Sequence, residues 1–257
     1  MAEKSESGFG ETIKTVVIAL LLAGLIRTLF FQPFWIPSSS MKPTLLIGDF
    51  LFVNKMAYGY SKHSCPMSMC SFINGRWMAS EPERGDIIVF KKPGDNVDFI
   101  KRLVGLPGDK VQMKGGQLYL NGALLPQQEN GLFEEIMEEQ GPLRGIPACS
   151  NRPVARGAIC EKEQSLETMP EGKTYNVLNV QDDKFSDDTL VYTVPPKHYF
   201  FVGDNRDNSS DSRSPTLGFV HEENLMGRAD RVIFSSAGRR VLFFWTWRSD
   251  RFFKSLN

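Results

Sequence analysis

Arg84-Gly-Asp-Ile-Ile-Val-Phe90, Phe99-Ile-Lys-Arg-Leu103 and Gln117-Leu-Tyr-Leu-Asn-Gly-Ala123 decide the fold. Each holds a short run of β-branched, aromatic or aliphatic residues, and turn residues bound it. The punctuation is dense: Arg84-Gly-Asp86, Lys92-Pro-Gly-Asp95, Leu106-Pro-Gly-Asp109 and Asn121-Gly122. Asn121-Gly122 between Leu120 and Leu124 is the strongest hairpin signal. Val191-Tyr-Thr-Val194 and Tyr199-Phe-Phe-Val202 are further strands of the same kind. No strand alternates with a long amphipathic helix, which argues against a parallel α/β sheet. The expected fold class is mainly β and antiparallel.

Upstream of this β region, Val16-Val-Ile-Ala-Leu-Leu-Leu-Ala-Gly-Leu-Ile26 carries no charge, and after Arg27 and Thr28 the apolar character resumes through Ile36. As a helix, residues 16–36 would be roughly 30 Å long, about one hydrocarbon core. A single transmembrane anchor is expected over residues 12–33, behind a polar tail at 1–11. Arg27 would snorkel, and Phe34 and Trp35 would lie at the headgroups. A cleaved signal peptide and a buried soluble helix are the alternatives, but no A-x-A site follows the run. The flanking charges set no orientation.

The 257 residues hold 30 basic and 30 acidic side chains, a balance that argues against a nucleic-acid partner. That neutrality is a sum of unequal parts. Residues 127–188 carry thirteen acidic and six basic side chains, which marks a solvated excursion. From Gly227 onward there are seven basic and two acidic residues. There Phe243-Phe-Trp-Thr-Trp247 and Phe252-Phe253 alternate with Arg239, Arg240, Arg248, Arg251 and Lys254. This tail fits either an anionic membrane surface or a last element packed on the core with arginines at its edge. The cysteines pair by proximity as Cys65–Cys70 and Cys149–Cys160; the ten-residue gap in the second pair argues against a four-cysteine zinc site.

His63, His198 and His221 are scattered and suggest no Ser-His-Asp arrangement. Pro37-Ser-Ser-Ser-Met-Lys-Pro-Thr44 places three hydroxyls between prolines. A serine without histidine needs another base, and a lysine serves if burial keeps its amine neutral. Lys101 is the best candidate, because alternation on a strand sends Lys101 and Arg102 to opposite sides. Gly203-Asp-Asn-Arg-Asp-Asn-Ser-Ser-Asp-Ser-Arg213 is rich in carboxylates, but in either register it fails the spacing of a calcium loop.

Together these segments resemble the type I signal peptidases (leader peptidases), which are membrane-anchored serine–lysine proteases. The resemblance runs in order through Pro37 to Leu45, Gly48-Asp-Phe-Leu-Phe-Val-Asn-Lys55, Arg84 to Phe90, Ile100 to Lys110, and Gly203 to Arg213. It implies Ser40 as nucleophile and Lys101 as general base. It also implies an oxyanion hole from the Ser38 hydroxyl and the Ser40 amide, with Ser209 orienting the lysine. Arg102, Asp204, Asp211 and Arg213 would hold the site by ion pairing. Ile36, Met41, Leu45 and Ile100 would line pockets for small residues. After Arg213 the chain reads Ser-Pro-Thr-Leu-Gly218, which departs from the aromatic-Gly continuation of some members.

The implied activity is removal of signal peptides from secreted preproteins, cleaving after small residues, with no metal or organic cofactor. The implied partners are preproteins and the lipid bilayer. The chain would act as a monomer with its catalytic domain on the outer face of a bacterial inner membrane. The expected domains are a catalytic β core over residues 34–126 and 198–257 and a smaller β-rich insertion over 127–197. A catalytically silent tethered scaffold and a self-cleaving serine–lysine regulator are the competing readings.

Overall fold

The computed structural model describes residues 8–64, 70–141, 143–182, 184, 186–238 and 243–256. Most of the expected 1–11 tail, together with Cys65, Arg239 and Arg240, lies outside the described residues. A helix, α1 (Gly8–Leu29), opens the chain. Fourteen strands follow: β1 (Phe31–Trp35), β2 (Asp49–Asn54), β3 (Ile87–Lys91), β4 (Asp98–Gly105), β5 (Lys110–Lys114), β6 (Gln117–Leu120) and β7 (Ala123–Leu124), then β8 (Gln127–Ile136), β9 (Ile159–Thr168), β10 (Thr174–Asn179), β11 (Tyr192–Thr193), β12 (His198–Val202), β13 (Val220–His221) and β14 (Leu225–Ser235).

Three sheets result, with strand orders β1-β2-β14-β3-β4-β12-β13, β11-β5-β6-β7 and β10-β9-β8. Every pairing between these strands is antiparallel, as the sequence predicts. Asn121 and Gly122 connect β6 to β7 with φ of 53° and 85°, the two positive values that the tight hairpin turn needs. The apolar run of β3 has no polar face because both its faces are covered. Ile87 and Val89 join a cluster with Ile36, Met41, Leu45, Leu51 and Met226. Ile88 and Phe90 join another with Leu103, Tyr199 and Phe201.

The N-terminal expectation needs correcting. Among the described residues, no helix is long and apolar enough to cross a membrane; Glu11, Lys14 and Arg27 all fall within α1. Nor does the helix reach residue 33. Phe31–Trp35 pair with Phe50–Asn54, so Phe34 and Trp35 lie on a strand rather than at a helix end. Pro33 favours this outcome because it cannot donate a helical hydrogen bond. The side chains of Val16, Leu20, Leu21 and Leu25 are all exposed. The C-terminal end of the helix is tied to the sheet: Lys55 Nζ donates to Arg27 O at 3.1 Å, and Tyr60 Oη donates to Leu29 O.

Part of the basic C-terminal segment packs on the core. Arg251 is buried, and its guanidinium donates to Asp49 and to Thr44 O, while Arg248 donates to Ile47 O at 3.0 Å. Phe244, Trp245 and Phe253 stay exposed. A disulfide joins Cys149 to Cys160. Cys70 is also disulfide-bonded.

Candidate active site

Ser40 lies in the loop of residues 37–48, between β1 and β2. The loop is wound tightly: Lys42 N–H donates to Ser39 O at 3.1 Å and Leu45 N–H to Met41 O at 2.8 Å. Its apolar side chains, Met41 and Leu45, face inward and are essentially without solvent exposure. Burial of these two residues anchors the loop; Ser38 stays exposed, whereas Ser40 is itself buried.

Lys101 projects from β4 into this region. Its Nζ donates to Ser40 Oγ at 2.7 Å and to Ile100 O at 2.9 Å. Among the described residues no carboxylate lies within ion-pairing distance of that amine. Burial lowers its pKa from the ordinary lysine value to about 8; Asp211 and Asp204 oppose the shift without cancelling it. A fraction of the amine is therefore neutral near pH 7, in hydrogen-bond reach of a hydroxyl. Ser38 Oγ lies 3.4 Å from Ser40 Oγ, on the solvent side.

Arg102 points the other way, as alternation along β4 requires. Its Nε and Nη2 bind the two oxygens of Asp204 at 2.8 and 2.7 Å, and Nη1 donates to Gly85 O at 2.7 Å. The guanidinium also lies 3.9 Å from the centre of the Tyr175 ring. Thr44 Oγ1 donates to the same aspartate at 2.5 Å, which links the serine loop to β4. Arg213 makes a second two-pronged pair with Asp211, both bonds at 2.8 Å. Burial alone would raise the Asp211 pKa; Arg213 overrides it and holds the carboxyl below its usual range.

Ser209 makes no hydrogen bond to the lysine amine among the described residues. Its Oγ is buried without a hydrogen-bond partner among the described residues, and the partners of the lysine amine are Ser40 and a backbone carbonyl. Ser209 instead packs against Gly203. A Cβ at residue 203 would stand 2.2 Å from Ser209 Oγ and 2.6 Å from Ser40 O, closer than atoms can approach. A cleft of about 340 Å³ beside Lys101 is lined by Phe34, Trp35, Ile36, Val89, Phe99 and Ile100, among others. Ile36 and Ile100 thus reach the cleft, while Met41 and Leu45 pack in the core behind it.

The family model for signal peptidases (peptidase S26) matches residues 9–234. The chain belongs to the signal peptidase family. Signal peptidase I of Rickettsia canadensis (strain McKiel) is 39% identical over 234 residues, which are 87% of this chain and 79% of the relative. That of Rickettsia typhi (strain ATCC VR-144 / Wilmington) is 40% identical over 233 residues, 86% of this chain and 78% of the relative. A solved signal peptidase I from Enterococcus faecalis V583 is 26% identical, covering 58% of this chain and 97% of its own, with a TM-score of 0.31.

Two asparagines that the sequence alone does not single out grip the serine loop of this signal-peptidase family member. Asn205 donates from its backbone to Ser40 O at 3.1 Å and from Nδ2 to Ser39 O at 3.0 Å. Asn208 Nδ2 donates to Ser39 Oγ at 2.6 Å. Both belong to the 203–213 motif, where three aspartates stand beside them. An amide can grip a backbone carbonyl without bringing charge near the lysine, which is the signal that could have found them.

Proposed function

We propose that this protein is a membrane-associated serine endopeptidase that removes N-terminal signal peptides from secreted preproteins, using Ser40 and Lys101. The observation that carries this reading is the 2.7 Å contact between Lys101 Nζ and Ser40 Oγ, at a buried amine free of carboxylate partners. A lysine paired with an acid has its amine engaged by that partner; one paired with a hydroxyl is placed to take its proton.

In this mechanism neutral Lys101 takes the Ser40 proton as Oγ attacks the scissile carbonyl. Ser38 Oγ and the Ser40 N–H donate to the developing oxyanion, each worth about 2.7–4 kcal/mol if positioned. Collapse breaks the C–N bond, and the lysine returns the proton to the leaving amine. Lys101 then takes a proton from the water that hydrolyses the acyl-enzyme. The apolar cleft beside the lysine favours small side chains in the residue before the cut. Ion pairs at Asp204 and Asp211 support the site from behind, and the core of residues 34–126 and 198–257 would carry all of it.

Membrane association fits the exposed, apolar α1, which shows no polar face along its central turns. The proposed location is the outer face of a bacterial inner membrane, where preproteins emerge, with the chain acting as a monomer. Cleavage of a signal-peptide-bearing preprotein by the detergent-solubilised protein tests the activity. Ser40→Ala and Lys101→Met should each abolish cleavage in a folded protein, and full activity in either one overturns the dyad.

A further inference from the structure

The insertion that includes β8 and β9 touches the serine loop at a cluster of buried charges. Lys42, two residues past Ser40, is buried and turns toward the insertion. Its Nζ donates to Glu135 Oε2 and, at 2.6 Å, to Gln140 Oε1. Gln140 Nε2 in turn donates to the same Glu135 oxygen at 2.6 Å. The other Glu135 oxygen accepts from Lys162 Nζ on β9, a residue only 1% exposed. One carboxylate thus serves two buried ammonium groups from separate parts of the chain. Burial, opposed by Glu135 and aided by Lys162 and Arg248, lowers the Lys42 pKa to about 8.

Such a cluster is held together by its one negative charge. Removing one partner from a buried ionic group leaves the remainder uncompensated, which is far more disruptive than losing an exposed pair. Without Glu135, Lys42 and Lys162 would face each other with Arg248 nearby. Lys42 would then have to move. The turn spanning Ser39 to Leu45 is short and internally hydrogen-bonded, so that movement passes to Ser40. A second contact presses at the same place: a Cβ on Gly141 of the insertion would stand 2.6 Å from Ile47 Cγ2 of the serine loop. Reacting groups tolerate little displacement; about 1 Å can reduce a rate on the order of a hundredfold.

We propose that Glu135 is a positioning residue for hydrolysis, holding Ser40 in place through Lys42 and bracing the catalytic loop against the insertion. The proposal rests on the reading of Ser40 as nucleophile. Glu135 need not touch substrate, so its loss should lower kcat and spare KM.

The test is steady-state cleavage of a preprotein by the full chain in detergent, with thermal melting followed in parallel. Glu135→Gln should lower kcat about ten- to a hundredfold with KM within about threefold of wild type. Glu134→Gln, the same charge change on the opposite side of β8, should alter neither. Glu135→Asp should recover part of the loss. Because Glu135 acts through Lys42, the double variant Lys42→Met/Glu135→Gln should be no slower than Lys42→Met alone. Wild-type kcat in Glu135→Gln overturns the proposal, as do losses that multiply in the double variant or a rise confined to KM. If Glu135→Gln does not fold, Lys42→Met and Glu135→Asp carry the test, and wild-type kcat in both overturns it. Ser40→Ala, assayed alongside, separates the two readings. Cleavage surviving in Ser40→Ala refutes the nucleophile assignment, whereas an inactive Ser40→Ala beside a fully active Glu135→Gln refutes only the role of Glu135.

Discussion

Lys101 and Lys42 flank the same serine and share one electrostatic fate, yet their surroundings fit them for different work. Both are buried, and burial brings both to a pKa of about 8. Lys101 meets a hydroxyl and a carbonyl; Lys42 meets a carboxylate and a side-chain amide. The first arrangement leaves a lone pair available once the proton is gone. The second occupies the amine in holding two chain segments together. A depressed lysine pKa therefore does not mark a base, since Lys55, equally lowered, only caps backbone carbonyls. What distinguishes the proposed base is its partner.

The largest expected effect separates the two lysines outright. Lys101→Met should lower kcat/KM about 10³-fold or more, in line with loss of a general base. Lys42→Met should stay within about a hundredfold. Equal losses, measured on one preprotein under one condition, would erase the distinction.

The pH profile sharpens it further. A base must be deprotonated, so activity should fall about tenfold per pH unit well below pH 8, the value to which burial brings Lys101. Lys42→Met should keep the same midpoint although Lys42 titrates in the same range. If the midpoint disappears with Lys42, the wrong lysine has been given the proton.

Asp204→Asn acts on the support rather than the base. It leaves buried Arg102 without its counter-charge, for an expected stability loss of about 3–5 kcal/mol in urea unfolding. Because Asp204 raises the Lys101 pKa, the acid limb of the activity profile should also move to lower pH. A shift to higher pH would contradict that sign. The smallest effect belongs to Ser209→Ala. With no bond from Ser209 to the lysine, kcat should change less than that of Lys42→Met, and a loss rivalling Lys101→Met would show that the hydroxyl engages during turnover.

The sequence made one side of this comparison readable and hid the other. Ser40, Lys101, Asp204 and Asp211 stand in short motifs whose order survives in the chain, and β3 and β4 announce themselves by β-branched runs between Gly, Pro and Asp. Lys42 sits inside one of those motifs, but its partner is 93 residues away, and local pattern does not reach that far. The host strand is also poorly marked. β8 reads Gln-Gln-Glu-Asn-Gly-Leu-Phe-Glu-Glu-Ile and is mostly exposed, so pairing with β9 makes it a strand rather than propensity. β14 escaped for another reason: its register shifts against both neighbours break the alternation that would have revealed it. The apolar run from Val16 to Ile36 hides two things: charges at Glu11, Lys14 and Arg27 that keep α1 short of a membrane span, and a proline and strand partner that turn Phe31–Trp35 away from the helix.

Gly203 sets a limit on how this protein can diversify. Its constraint is the space that Ser209 and the Ser40 carbonyl already fill, so even a single methyl group has nowhere to go. In a library randomised at that codon and selected for secretion, only glycine should be recovered. At Gly145, where nothing stands within 4 Å, many substitutions should survive. Variants that alter the site are therefore expected at the cleft wall rather than at Gly203, in the floor beneath Ser40.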